Sequence, residues 1–253
     1  QNRMLADSPE NGAHLFGRHG PISVGTTVKT IAPRGLKRLL NVRFSAARKI
    51  GDTKKMVEKY LTLPLAEADV RELNAGDIVY LSGELVQLLS PAHKRALQLK
   101  KEGKALPFDT ENMAIYHCYT CLSGEESDLR CRFLGASTSA GVNPYEPDFI
   151  RAFKIRAIVG KGGMNDETLQ AMKDVGCVYL AQIGGCSQLC TQAVEETIGR
   201  FWEDLAANCG VKLRFKNLGP LIVGMDAKGE SLYKGIQAEI DANKRDICRK
   251  IAQ

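Results

Sequence analysis

Apolar positions along the chain fall in short runs separated by glycine, proline and small polar residues, which predicts alternating strands and helices. Residues 78–81, Ile-Val-Tyr-Leu, predict a strand, and Ser82-Gly83 a turn into a second apolar run at 84–88. Ser90 offers an N-cap and Pro91 suits the first helical position, so a helix is expected over 91–102, stopping at Gly103. Residues 113–119 and 129–134 flank a polar Ser-Gly-Glu-Glu-Ser-Asp stretch and predict a hairpin. Residues 148–153 read as helix and 156–160 as a buried strand. Asn165 or Asp166 then caps a helix that ends at Gly176. A strand is expected at 177–181, a helix from Gly184-Gly185 to about 199, and closing strands at 211–215 and 221–223. Residues 226–229 form a turn, and a polar helix follows Ser231. The strand, glycine turn, helix order implies parallel strands, so the expected body is α/β, with an antiparallel portion first and a parallel portion second.

Residues 1–59 lack such a pattern, because Pro9, Gly12, Gly17, Gly20, Pro21, Gly25, Pro33 and Gly35 interrupt them too often. One short basic amphipathic helix is expected between Gly35 and Ile50. Length and composition are those of a globular protein: 253 residues, 44% hydrophobic and 25% charged. No apolar stretch approaches the roughly 20 residues of a membrane span. The net charge of +6 is unevenly placed: residues 1–60 hold 12 Lys+Arg against 4 Asp+Glu, and the rest 23 against 25. A nucleic-acid role is therefore disfavoured, since the body is not basic. The Arg-rich, acid-poor segment has the composition of a mitochondrial transit peptide. It is expected as an arm held on the body or on other subunits, on the mitochondrial matrix side or else in the cytoplasm.

Eight cysteines in a chain of this size, set among apolar and glycine-rich neighbours, read as reduced thiols in a reducing compartment. Cys118-x-x-Cys121 with Cys131 across the hairpin makes three-quarters of a metal site, for which His117 is a candidate fourth ligand. Three reduced thiols in a hairpin is the simpler account. Gly160-Lys161-Gly162-Gly163 follows a strand and precedes a helix, so Lys161 beside a helix start is a candidate anion contact. Neither glycine turn is a nucleotide fingerprint. Ser137-Thr138-Ser139 present three adjacent hydroxyls, and His93 stands one turn into its helix with no local partner.

In this order, several segments resemble the β subunit, or C-terminal domain, of the iron–sulfur hydro-lyases, the family of class I fumarase and L-tartrate dehydratase. They are Leu63-Pro64-Leu65, residues 73–83, Ala92-His93-Lys94-Arg95, Leu106-Pro107-Phe108-Asp109, Gly135-Ala136-Ser137-Thr138-Ser139, residues 159–164, Val178-Tyr179-Leu180, Gly184-Gly185 and residues 218–223. The resemblance covers roughly residues 60–235, and leaves 1–59 as a basic extension and 236–253 as a helical tail. It implies a swivelling β/β/α domain that closes over a [4Fe–4S] cluster held by an α-type partner, with none bound by this chain alone. It also implies that Lys161, Gly162 and Ser139 bind substrate, that Ser137 stands where a proton-moving threonine belongs, with Thr138 beside it, and that His93 is a site histidine.

The departures from the pattern concern charge. Leu89 and Ser90 stand where the resemblance implies Arg-Asp, Gly141 and Val142 where it implies Arg-Met, and Tyr119-Thr120 where it implies Gly-Pro. Each charged hydrogen bond to a carboxylate contributes about 1.5–3 kcal/mol. Two expectations follow. One is an accessory subunit of a larger, mitochondrial assembly, contacted through residues 1–59. The other is a working β subunit that adds or removes water on a small hydroxy acid, with its α partner gripping the substrate.

Overall fold

The structure, a computed structural model, describes residues 57–185 and 187–251. The expected arm, its short helix at 35–50 and Cys186 lie outside the described residues. Strands β1 (Glu58–Thr62), β2 (Ile78–Gln87), β3 (Ala114–Tyr116), β6 (Ala157–Gly160), β7 (Val178–Ala181), β8 (Val194–Phe201) and β9 (Gly210–Met225) form one sheet in the order β1-β2-β3-β6-β7-β9-β8. A further pairing of β9 with β2 closes β2, β3, β6, β7 and β9 into a small barrel. Strands β4 (Cys118–Ser123) and β5 (Arg130–Ala136) make a separate antiparallel hairpin.

Burial on both faces explains the continuous apolar runs of the barrel strands. Side chains alternate: Ala114, Tyr116, Ala157, Val159, Val178 and Leu180 join the inner core with Leu81, Leu213, Phe215 and Val223. Ile115, Ile158 and Tyr179 point the other way, into a second core against α2 (Ser90–Lys101), α3 (Glu146–Phe153) and α4 (Asp166–Val175). The caps of α4 are the ones the sequence implies. Asn165 Oδ1 accepts from Thr168 N at 3.0 Å, and Gly176 takes the left-handed conformation at the far end. The remaining helices are α1 (Glu67–Arg71), α5 (Ser187–Thr191) and α6 (Leu232–Ile251). No described helix is long and apolar enough to cross a membrane.

Several expectations are corrected. The helix expected to run to 199 is only α5, after which the chain pairs as β8 with β9. The two closing strands are the single strand β9, and the turn at Ser82-Gly83 is a bulged passage inside β2. The first arm of the expected hairpin divides at His117 between the barrel strand β3 and the hairpin strand β4. The order of pairing also differs. β1, β2, β3, β6 and β7 run parallel, and the antiparallel pairs of the large sheet all involve the late strand β9.

Candidate functional site

Parallel strands β3, β6 and β7 end side by side, and His117 and Lys161, the residues after β3 and β6, carry the chemistry, the usual position for a site in such sheets. After β3, the His117 amide donates to Val159 O at 2.8 Å, and its carbonyl accepts from Ser137 N at 2.8 Å. This ties the loop that leaves β5 to the barrel. Ser137, Thr138 and Ser139 then run beside the end of β6. Lys161 N donates to Ser137 O at 3.4 Å, Ser139 N donates to Lys161 O at 3.0 Å, and Thr138 pairs with Lys161 as a parallel bridge. The hydroxyl loop and the lysine are thus held together by backbone bonds.

The glycines make this approach possible. Gly162 and Gly163 have positive φ, 87° and 72°. The Lys161 stem lies over Gly184, whose position for a Cβ is 3.4 Å from Lys161 Cδ. Ser137 and Lys161 are half-buried, Thr138 and Gly162 exposed, and Ser139 fully buried. The helix starts where expected, at Asp166, but five residues beyond Lys161 and with Asp166 and Glu167 in its first turn. Anion contact here therefore rests on the lysine and the turn, not on a helix N-terminus.

Ser139 leads inward. Its Oγ lies 3.0 Å from His117 Nδ1 and 3.0 Å from the Tyr179 hydroxyl. His117 Nε2 is 3.3 Å from Glu146 Oε2, and His93 Nε2 is 3.1 Å from the same oxygen. His93 Nδ1 faces Leu89 O at 3.1 Å, and its ring packs on Phe149. His93, His117 and Glu146 are each 0% exposed. Burial acts to raise the Glu146 carboxyl, but the His93 and His117 imidazoles outweigh it and hold that carboxyl at about 2. Burial pushes His117 down, against the pull of Glu146. Burial also raises the Tyr179 hydroxyl, opposed by its bonds to Ser139 and the Gly163 backbone.

The structure thus separates the predicted residues into two layers. Ser137, Thr138, Lys161 and Gly162 share the outer loop, Ser139 joins the layers, and His93 belongs to the inner cluster. The sequence offered no partner for His93; Glu146 and His117, distant in the chain, supply one. The signal for Glu146 was a carboxylate at the start of an otherwise apolar helix face, and for His117 an imidazole within the apolar strand run 114–118. His117 does not complete a cysteine site. Cys118 is buried in the inner core, Cys121 is exposed, and half-exposed Cys131 donates to Phe133 O at 3.6 Å. Burial raises the Cys118 thiol well up and the Cys131 thiol to about 11, and among the described residues the three thiols do not converge as metal ligands. Among the described residues the one grouping with metal-ligand geometry is His93, His117 and Glu146.

The departing positions are neighbours in space. Ser90 Oγ donates to Gly141 O at 2.8 Å, and Leu89 beside it is 5% exposed.

Residues 26–236 match the family model described as Fumarase C-terminus, a match that begins inside the segment expected as an arm. A candidate L(+)-tartrate dehydratase subunit beta from Methanocaldococcus jannaschii is 37% identical over 184 residues, covering 72% of this chain and 94% of that protein. The L(+)-tartrate dehydratase subunit beta of Escherichia coli K12 is 29% identical over 201 residues, 77% of this chain and 98% of its own. A candidate class I fumarate hydratase from Geobacillus stearothermophilus is 34% identical over 179 residues, 70% of this chain but only 34% of that longer protein.

Proposed function

We propose that this chain, which belongs to the fumarase C-terminus family, is the catalytic β-type subunit of a hydro-lyase and works with an α-type partner on a small hydroxy acid. The observation that carries the reading is the hydroxyl loop bonded strand-to-turn against Lys161 at the ends of β3, β6 and β7. Lys161 supplies one full positive charge for a substrate carboxylate, and the hydroxyls of Ser137 and Thr138 supply neutral hydrogen bonds beside it. By the resemblance, Ser137 falls where a proton-moving threonine belongs, and this reading gives it that role. A serine hydroxyl acts as a base only when a nearby cation or a second base favours its alkoxide, and Lys161, whose backbone is bonded to that of Ser137, is the cation this reading assigns to it.

The described cysteines do not fit an iron–sulfur cluster, which needs a convergent set of thiolates. In this reading a [4Fe–4S] group belongs to the partner. The work of this chain is then to bind the carboxylate, close over the partner's centre and hold the proton at the serine.

A second reading, an accessory subunit of a larger mitochondrial or cytoplasmic assembly, is favoured by one observation. Leu89 and Gly141, brought near each other by the Ser90 Oγ–Gly141 O bond, carry no cation. Anaerobic co-purification with an α-type chain, followed by assay on fumarate, malate and tartrate, separates the two. The catalytic reading expects turnover, and a Lys161→Ala loss in kcat/KM of about 10–150-fold, the worth of one charged hydrogen bond. A stable complex without turnover on any of them would leave the accessory role.

A further inference from the structure

We propose that His93, His117 and Glu146 form a metal site, which holds one divalent first-row cation such as Zn2+ beneath the hydroxyl loop. The ligand atoms of the three side chains lie within 4.8 Å of one another. The two Nε2–Oε2 separations, 3.1 and 3.3 Å, match the edge of a coordination tetrahedron, roughly 3.3 Å for Zn–N and Zn–O bonds near 2.0–2.1 Å.

Convergence alone would fit a plain ion-pair cluster, but the hydrogen-bond pattern argues for more. Both Nε2 atoms and both Glu146 oxygens are buried without an aligned hydrogen-bond partner, although they are close. Buried polar atoms in native proteins are rarely left so. The outer nitrogens, by contrast, are both engaged: His93 Nδ1 with Leu89 O, and His117 Nδ1 with Ser139 Oγ. A backbone carbonyl can only accept, so His93 carries a proton on Nδ1, and Nε2 is the nitrogen left to face the carboxylate. That facing pair is held either by a proton on Nε2 or by a metal ion between nitrogen and oxygen, and the poor alignment of the contacts favours the ion. An imidazole held by a carbonyl on one nitrogen and bound to metal through the other is the common arrangement of metal-ligating histidines. Glu146 Oε1, equally without a partner, can turn to the same ion as a longer, second contact. Two imidazoles and a carboxylate suit Zn2+ and its first-row neighbours better than Mg2+ or Ca2+, which favour all-oxygen shells.

Such an ion would pin α2, the β3–β4 junction and α3 at one point, and through Ser139 it would fix the hydroxyl loop. Being fully enclosed, it would enter with folding and act on stability. The inference does not depend on the hydro-lyase reading.

The test uses the full chain, purified without chelator, then unfolded and refolded with either equimolar Zn2+ or EDTA. The expected result is one equivalent of metal per chain by mass spectrometry. In a second scan with free Zn2+ held at roughly a hundredfold its Kd, the Tm should rise by about 5–10 °C over the EDTA sample. Glu146→Gln should abolish stoichiometric metal, and Ser139→Ala should weaken Zn2+ binding about 10–100-fold through the outer nitrogen of His117. Should either variant fail to fold, refolding the natural chain with Co2+ gives an independent readout, the visible absorption of imidazole-bound cobalt. Absence of metal, a Tm indifferent to Zn2+ and EDTA, and 15N NMR showing both nitrogens of His93 protonated would overturn the proposal, because a proton would then do the work assigned to the ion.

Discussion

Gly160 stands where any side chain would collide with the site. A Cβ there would lie 2.0 Å from Ser139 Oγ, 3.1 Å from the Tyr179 hydroxyl and 3.4 Å from His117 Cβ. Gly160→Ala is therefore expected to push the hydroxyl loop off the barrel and to cost about 1–3 kcal/mol in urea denaturation. Faster exchange of the Ser139 amide, which donates to Lys161 O, would locate the damage. An unchanged midpoint and unchanged exchange would mean that the loop is softer than its bonds imply. Thiols offer a second check. Cys118 and Cys177 are buried, and burial raises both well up, whereas Cys121 and Cys248 are exposed. Alkylation of the folded chain should mark Cys121 and Cys248 and spare Cys118 and Cys177, as read by peptide mass spectrometry. Single-residue chemistry was readable in the sequence where it is local, as for the three hydroxyls and the lysine between glycines. The cluster of His93, His117 and Glu146 was not. Its members lie on three separate elements, and no spacing rule connects a helix, a strand junction and a second helix.

Elements were legible where both ends carry a local signal. α4 is bounded by the Asn165 cap and Gly176, and α2 by Pro91 at its start and Gly103 beyond its end. Legibility failed where long-range pairing overrides local preference. Residues 216–220 separate the two expected closing strands, yet β9 passes through them as a bulge, with Asn217 at φ 51° and a register shift against Leu81 and Gly83. Residues 192–199 look helical, but β9 captures them as β8, and Glu196 meets Arg214 across the pair. The terminal helix α6 is the opposite case, a well-formed element with little tertiary hold. Ile236, Ile240, Ile247 and Ile251 are 55%, 49%, 55% and 79% exposed, and the family match ends at residue 236. Removing residues 236–253 is accordingly expected to move Tm by less than about 2 °C, under ~1 kcal/mol. Calorimetry would decide. A larger fall would show that α6 belongs to the cooperative unit.

For the molecule as a whole, the question is whether its loop face still meets a substrate, and the two departing positions allow a direct trial. Gly141 has open space around it, with no atom within 4 Å of a Cβ, and Leu89 next to it is buried at 5% exposure. Restoring a cation at the two positions has unequal consequences. Leu89→Arg would have to bury or displace a guanidinium, which is expensive without a partner carboxylate. Gly141→Arg can extend into solvent towards the side on which Ser90 and Leu89 lie, and should leave stability within about 0.5 kcal/mol. If this face binds a dicarboxylate alongside Lys161, the added guanidinium gives the second carboxylate a charged grip worth about 1.5–3 kcal/mol. KM for fumarate or tartrate in the complex with the α-type chain should then fall about 10–150-fold. A folded Gly141→Arg complex that binds neither acid more tightly would show that the face no longer looks onto a substrate. The bonded loop and lysine would then serve the fold, and the partner surface would be what the domain contributes.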